Sequence, residues 1–130
     1  MNIPSDLHYT KDHEWVKFNG EEATVGITDY AQGELGDIVF LDLPEIGIVV
    51  TGGTPFGTIE AVKAAADMYS PVSGEVIAVN GLLEDSPELI NQDPYGGGWI
   101  IKIQVRDVEE VETLLSPDDY AKLIEEASEN

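Results

Sequence analysis

Short apolar runs, each closed by glycine, proline or asparagine, follow one another along this chain, and only toward its end does the rhythm change. Residues 7–27 read as strand: Trp15, Val16 and Phe18 lead to Asn19-Gly20, a strong hairpin signal, and then to Ala23, Val25 and Ile27. Thr28-Asp29 ahead of Tyr30-Ala31-Gln32 predicts a short capped helix that stops near Gly33 or Gly36. Residues 37–43 predict a strand with Ile38, Phe40 and Asp42 on one face and Val39, Leu41 and Leu43 on the other, ended by Pro44. Further short strands are expected at 46–50, 56–62, 68–72, 75–79 and 99–105, punctuated by Gly52-Gly53, Pro71, Ser73-Gly74 and Asn80-Gly81. Ser86-Pro87-Glu88 reads as a helix start with Ser86 as its cap. The tail turns helical, with Val108, Val111, Leu114 and Leu115 at helical spacing and Ser116-Pro117-Asp118-Asp119 opening a second helix. This pattern predicts a mainly β fold, an antiparallel β-sandwich or flattened barrel with short helices. One domain over residues 1–130 is expected, with C-terminal helices at about 107–127.

Composition narrows the class. A chain of 130 residues that is 42% hydrophobic, with a mean hydropathy of −0.10, is an ordinary globular domain, large enough for a core and small for a self-contained enzyme. No apolar run approaches the roughly 18 residues of a membrane span, and residues 1–6 have neither the basic start nor the apolar stretch of a signal peptide. The expectation is a cytoplasmic protein of a bacterium or archaeon, with a processed organellar chain as the alternative. Asp and Glu number 26 against 6 Lys and Arg, a formal charge of −20. That balance argues against nucleic acid and anionic membranes as partners, and for solubility and attraction to basic docking surfaces. Without cysteine there is no disulfide, thiolate nucleophile or cysteine metal site. His8 and His13 match no common metal spacing, and Gly96-Gly97-Gly98 lacks the Gly-Lys-Ser/Thr of a phosphate loop.

Lys63 is set apart by its neighbours, Ala61-Val62 before it and Ala64-Ala65-Ala66 after it. A turn at Val62-Lys63-Ala64, between two strand-like runs, pushes the ammonium group into solvent and leaves it open to another protein's active site. The same residues also fit an ordinary surface lysine at a loop tip. A Schiff-base lysine needs a desolvated site that lowers its pKa from roughly 10.4, which an exposed tip does not provide. An interaction protein that leaves Lys63 free fits the composition as well.

The stretch "GTIEAVKAAADMYSPVSGEVIAVN" resembles the lysine loop of lipoyl and biotinyl carrier domains, in which a hairpin tip presents one lysine for amide attachment of a cofactor. Over almost its whole length the chain resembles the H proteins of the glycine cleavage system. The matching stretches are "LHYTKDHEWVK", "VGITDYAQGELGDIVFLDLPEIG", the lysine loop, "SPELINQDPYGGGWIIKI" and the helical tail. Val62 and Ala64 stand where a biotinylated lysine is flanked by methionines, which leaves a biotinyl carrier as the lesser alternative. Ala61 stands where the family often has Ser, and Ala65-Ala66 fill a stretch where it often has Ser or Thr.

The resemblance implies the hybrid sandwich of lipoyl/biotinyl carriers and a carrier role, not an enzyme. Lys63 would hold lipoate, and the arm would take an aminomethyl group from a PLP-dependent glycine decarboxylase to a tetrahydrofolate-dependent aminomethyltransferase. Dihydrolipoamide dehydrogenase would reoxidise it, and a lipoate ligase or lipoyl/octanoyl transferase would install it. Family resemblance also implies that Glu14, Asp67 and Asp12 receive the amino end of the loaded arm in a cleft, where charge-assisted hydrogen bonds suit an ammonium-like group. No metal is expected, and a monomer is. An H-like protein that relays lipoate to other complexes is the alternative within the family.

Overall fold

The protein is described by a computed structural model over residues 2–128. The larger of two antiparallel sheets joins six strands in the order β1 (His8–Tyr9), β2 (Glu14–Asn19), β3 (Glu22–Ile27), β9 (Ile101–Val105), β8 (Gly74–Val79) and β5 (Val49–Val50). The smaller places β6 (Pro55–Ala61) between β4 (Ile38–Asp42) and β7 (Ala65–Tyr69). Inward residues of both sheets, among them Val25, Ile103 and Val76 from one and Ile38, Ile59 and Met68 from the other, share one core. Neither sheet closes on itself, so the expected β-sandwich is present and the barrel is not.

Local chemistry explains the elements that frame the site. In the β2–β3 hairpin Asn19 pairs with Glu22, as the Asn-Gly signal predicts. Trp15 faces Gly26 across this hairpin, and a Cβ at Gly26 would sit 2.6 Å from Trp15 Nε1. Only glycine lets the indole lie flat there, with its N–H donating to the Pro94 carbonyl at 2.9 Å. Helix α1 (Asp29–Leu35) begins where Thr28 Oγ1 accepts from the Ala31 N–H, and it runs through Gly33 to end at Gly36.

Three expectations need correction. Val39 and Phe40, predicted on opposite faces of β4, are both about half exposed. A bulge between Ile38 and Phe40 breaks the alternation, so Ile38 is buried and Leu41 and Leu43 resume packing against the core. Ser86 does not cap a helix N-terminus. It ends an unforeseen turn of helix, α2 (Leu82–Asp85), and α3 (Leu89–Gln92) starts later. Of the first tail helix, Val108–Thr113 forms a 3-10 helix that stops before Leu114 and Leu115.

Two ties bring these pieces to the site. Asn91 of α3 donates to Gln32 Oε1 at 3.0 Å and to the Gly36 carbonyl at 2.8 Å, and accepts from the Ile38 N–H at 2.9 Å. This fixes the end of α1 against the start of β4. Helix α4 (Pro117–Ser128) packs on a second apolar cluster of Leu7, Tyr9, Trp15, Tyr120 and Ile124, with the Tyr9 and Tyr120 rings stacked at 4.7 Å.

Candidate functional site

Lys63 stands at the tip of the β6–β7 hairpin, exposed. The turn closes through the Ala61 N–H on the Ala64 carbonyl at 2.7 Å, and the Val62 N–H reaches the Asp37 carbonyl at 3.0 Å. Only methyl side chains follow the lysine, so no bulky group shields it. Its stem lies over Gly36, where a Cβ would meet Lys63 Cε at 3.0 Å. The φ of +82° at Gly36 is a second reason for glycine.

From Gly36, α1 leads away from the lysine along one wall of a cleft of about 330 Å³. The cleft collects the three carboxylates singled out from the sequence, Asp12, Glu14 and Asp67, and adds a fourth, Glu34 of α1. Ile27, Ile59 and Met68 give it an apolar lining, and Ala66 adds a methyl. Lys63 is not among the lining residues, but it sits beside the end of α1 that brings Glu34 and Leu35 to the cleft. A larger groove of about 510 Å³ beside Phe40 and Val79 holds none of the predicted site residues.

Glu14 is the unusual member. It is 2% exposed and has no cationic partner among the described residues. Thr10 Oγ1 donates to Glu14 Oε1 at 2.6 Å, and the Tyr69 N–H of β7 donates to Oε2 at 3.3 Å. Burial raises its pKa from an ordinary 4.5 to about 8, against the pull of those two hydrogen bonds. At neutral pH it is therefore mostly a neutral acid. A cationic amine entering the cleft would convert it to the carboxylate and pair with it. Asp12 and Asp67 are exposed at the cleft edge, so Glu14 supplies the buried contact and they supply field.

The sequence did not single out His13, Tyr30, Glu34 or Tyr120 for the site. His13 adopts φ +69°, the one positive φ outside glycine among the described residues, and its ring lies 4.8 Å from that of Tyr30 on the cleft wall. Burial lowers its pKa, although Asp12 and Glu34 pull the other way. The neighbouring Glu14-Trp15 motif marks the segment, but nothing in local sequence announces a left-handed histidine.

An open lysine on a hairpin tip beside an acidic cleft is the arrangement a carrier protein would need: an amine to load and a recess for the load. The chain matches the family model described as "Glycine cleavage H-protein" over residues 7–127, and it belongs to that family. It is a carrier component of a multienzyme system and not an enzyme. It is 58% identical over 124 residues to the glycine cleavage system H protein of Rubrobacter xylanophilus, covering 95% of this chain and 96% of that protein. Identity to the Carboxydothermus hydrogenoformans H protein is 51% over 127 residues, or 98% of each chain. A crystal structure of the H protein from Mycobacterium marinum matches with a TM-score of 0.85 at 40% identity, covering 92% of this chain and 97% of that one. Among the described residues no group of three or more metal-ligating side chains is placed to hold an ion, and no helix is long and apolar enough to cross a membrane.

Proposed function

We propose that this chain is the lipoyl carrier of a glycine cleavage system, with lipoate amide-linked to Lys63. The observation that carries this is the pairing of a sterically open lysine with a cleft whose buried carboxyl, Glu14, lacks a cation. The residues fit the group: a long arm from Lys63 has α1 as its path and an apolar, acid-edged cleft at its end.

When bound, lipoate supplies a dithiolane that accepts an aminomethyl group reductively and is regenerated by oxidation. The chain's own residues do the rest. The alanines around Lys63 give clearance for enzymes that modify or load it. Asp12 and Asp67 draw a cationic amine to the cleft, and Glu14 loses its proton to hold it. Ile27, Ile59 and Met68 exclude water, which protects a labile load from hydrolysis. With alanine at 61, 65 and 66, charge and shape hold the load in place of hydroxyl contacts.

The partners in this reading are a PLP-dependent glycine decarboxylase, a tetrahydrofolate-dependent aminomethyltransferase and dihydrolipoamide dehydrogenase. A lipoate ligase or lipoyl/octanoyl transferase installs the arm. The carrier acts as a monomeric single domain over residues 1–130, in the cytoplasm. Intact mass after exposure to lipoate ligase tests the attachment: one lipoyl adduct is expected, absent in Lys63→Ala. Restored glycine decarboxylation with the three purified enzymes tests the role. Biotinylation in place of lipoylation overturns the first, and a lipoylated chain that fails to support decarboxylation overturns the second in favour of lipoate relay.

A further inference from the structure

Tyr120 belongs to α4, outside both sheets, yet it is fully buried and its hydroxyl reaches the cleft wall. That oxygen lies 2.9 Å from His13 Nδ1 and 2.6 Å from Thr28 Oγ1. The direction of the protons follows from counting donors. Thr28 Oγ1 already accepts from the Ala31 N–H, and its own proton has one acceptor within reach, Tyr120. Thr28 then donates to Tyr120, and Tyr120 donates to His13 Nδ1. The imidazole proton must sit on Nε2. In the reverse order the Thr28 proton has no acceptor at a fully buried site, a costly arrangement. Protonating His13 makes Nδ1 a donor as well, so one of the two hydroxyl protons, that of Thr28 or that of Tyr120, then loses its acceptor.

The groups facing His13 are on four elements. Asp12 and Glu14 are on its own segment, Tyr30 and Glu34 come from α1, and Tyr120 and Thr28 form the chain behind it, with Asp67 on the cleft's other side. Asp12 and Glu34 favour the imidazolium, burial opposes it, and burial wins. Burial also raises the Tyr120 pKa, so the phenol remains a donor. An imidazolium here would occupy the field of the same acids that an incoming amine needs.

We propose that Tyr120 is a positioning residue of the cleft: its hydroxyl holds His13 as the uncharged Nε2–H tautomer, which keeps the acidic cleft open to a cationic amine. The left-handed backbone of His13 and the hydroxyl chain are separate observations that serve one end, an imidazole fixed in place and charge. The inference rests on the reading that this cleft receives the loaded arm.

Nitrogen NMR of the two histidines in the unlipoylated chain tests Tyr120 without any arm. The expected result is an Nε2–H tautomer for His13, titrating below the ordinary histidine value. In Tyr120→Phe, which retains the ring stacked on Tyr9, the tautomer preference disappears and the His13 pKa rises by about half to one unit. Thr28→Ala shifts it the same way by less and leaves α4 untouched. An Nδ1–H tautomer in the unmutated chain, or an unmoved titration in Tyr120→Phe, overturns the proposal. Release of formaldehyde from the aminomethylated lipoyl protein alone supplies the second readout. Tyr120→Phe should speed it about threefold at pH 6 and not at pH 8.5, since only the lower pH charges the freed imidazole. Glu14→Gln should speed it at both. If Glu14→Gln has no effect, the cleft reading fails; if it acts and Tyr120→Phe does not, the positioning role fails.

Discussion

The lysine tip and the cleft are neighbours, linked by β7 and by the Glu34-Leu35 end of α1, yet they are built on opposite principles. At the tip, two backbone hydrogen bonds shape the turn, every residue from Val62 to Asp67 is exposed, and no polar side chain among the described residues fixes the lysine. In the cleft, a carboxyl is buried among apolar side chains and held by Thr10 and Tyr69, while a histidine is held by a tyrosine 107 residues away in sequence. The loading end needs clearance, since visiting enzymes bring their own chemistry. The sheltering end needs charges and dipoles set in advance, because no visitor supplies them.

This contrast is open to breakage by mutation, beginning with the largest effect. Lys63→Ala should abolish the lipoyl adduct completely by intact mass, yet change stability by no more than about 0.5 kcal/mol in urea unfolding. A large loss of stability would mean that the tip is structural after all. Glu14→Gln probes the other end. A carboxyl whose folded pKa is raised from 4.5 to about 8 contributes its full stability below the lower value and loses it as pH rises through the upper one. Unfolding free energy of the unmutated chain should therefore fall across that window by up to about 1.4 kcal/mol per pH unit, a few kcal/mol in all. The Glu14→Gln variant should lack that slope, and equal slopes would show that Glu14 is ionised in the empty cleft.

Gly36→Ala separates backbone from contact. The positive φ sets a cost of about 1–3 kcal/mol, and most of it should persist in a Lys63→Ala background, because the lysine stem is the flexible partner. Disappearance of the cost in that background would make the stem the rigid element. Asp67→Asn tests the division of labour inside the cleft. Exposed Asp67 should alter stability by less than about 0.5 kcal/mol while accelerating loss of the aminomethyl load, and a stability change as large as that of Glu14→Gln would erase the distinction.

Much of this was legible along the chain. Apolar runs closed by turn residues located most strands, although β5 keeps only Val49–Val50 of 46–50 and β7 runs Ala65–Tyr69 where 68–72 is expected; Asn19-Gly20 marked the first hairpin, Thr28 the helix cap, and the small residues around Lys63 an open turn. Family resemblance pointed to Asp12, Glu14 and Asp67, and folding brings these three into one cleft. What escaped depends on distance or on cancelled local preference. A bulge overrode the alternation at Val39 and Phe40. Glu34 on α1 read as one acid among many, since its place in the cleft depends on how Asn91 docks the helix end. Tyr120 fits a helix's apolar stripe, and only its hydroxyl contacts with Thr28 and His13 show that it does more than pack.

The Lys63 stem on Gly36 bears on how a tethered group searches space. A tether that leaves a hairpin tip freely explores a hemisphere, and the chance of meeting one mouth on the surface is diluted over that whole volume. Here the Lys63 stem rests on Gly36, where α1 ends and the cleft wall of Glu34 and Leu35 begins, so a tether on this lysine would start its search close to the cleft. For a group carried on Lys63, that short separation would raise its effective concentration at the cleft. Sheltering would then be the short excursion and reaching out to an enzyme the long one, with Gly36 at the root of both.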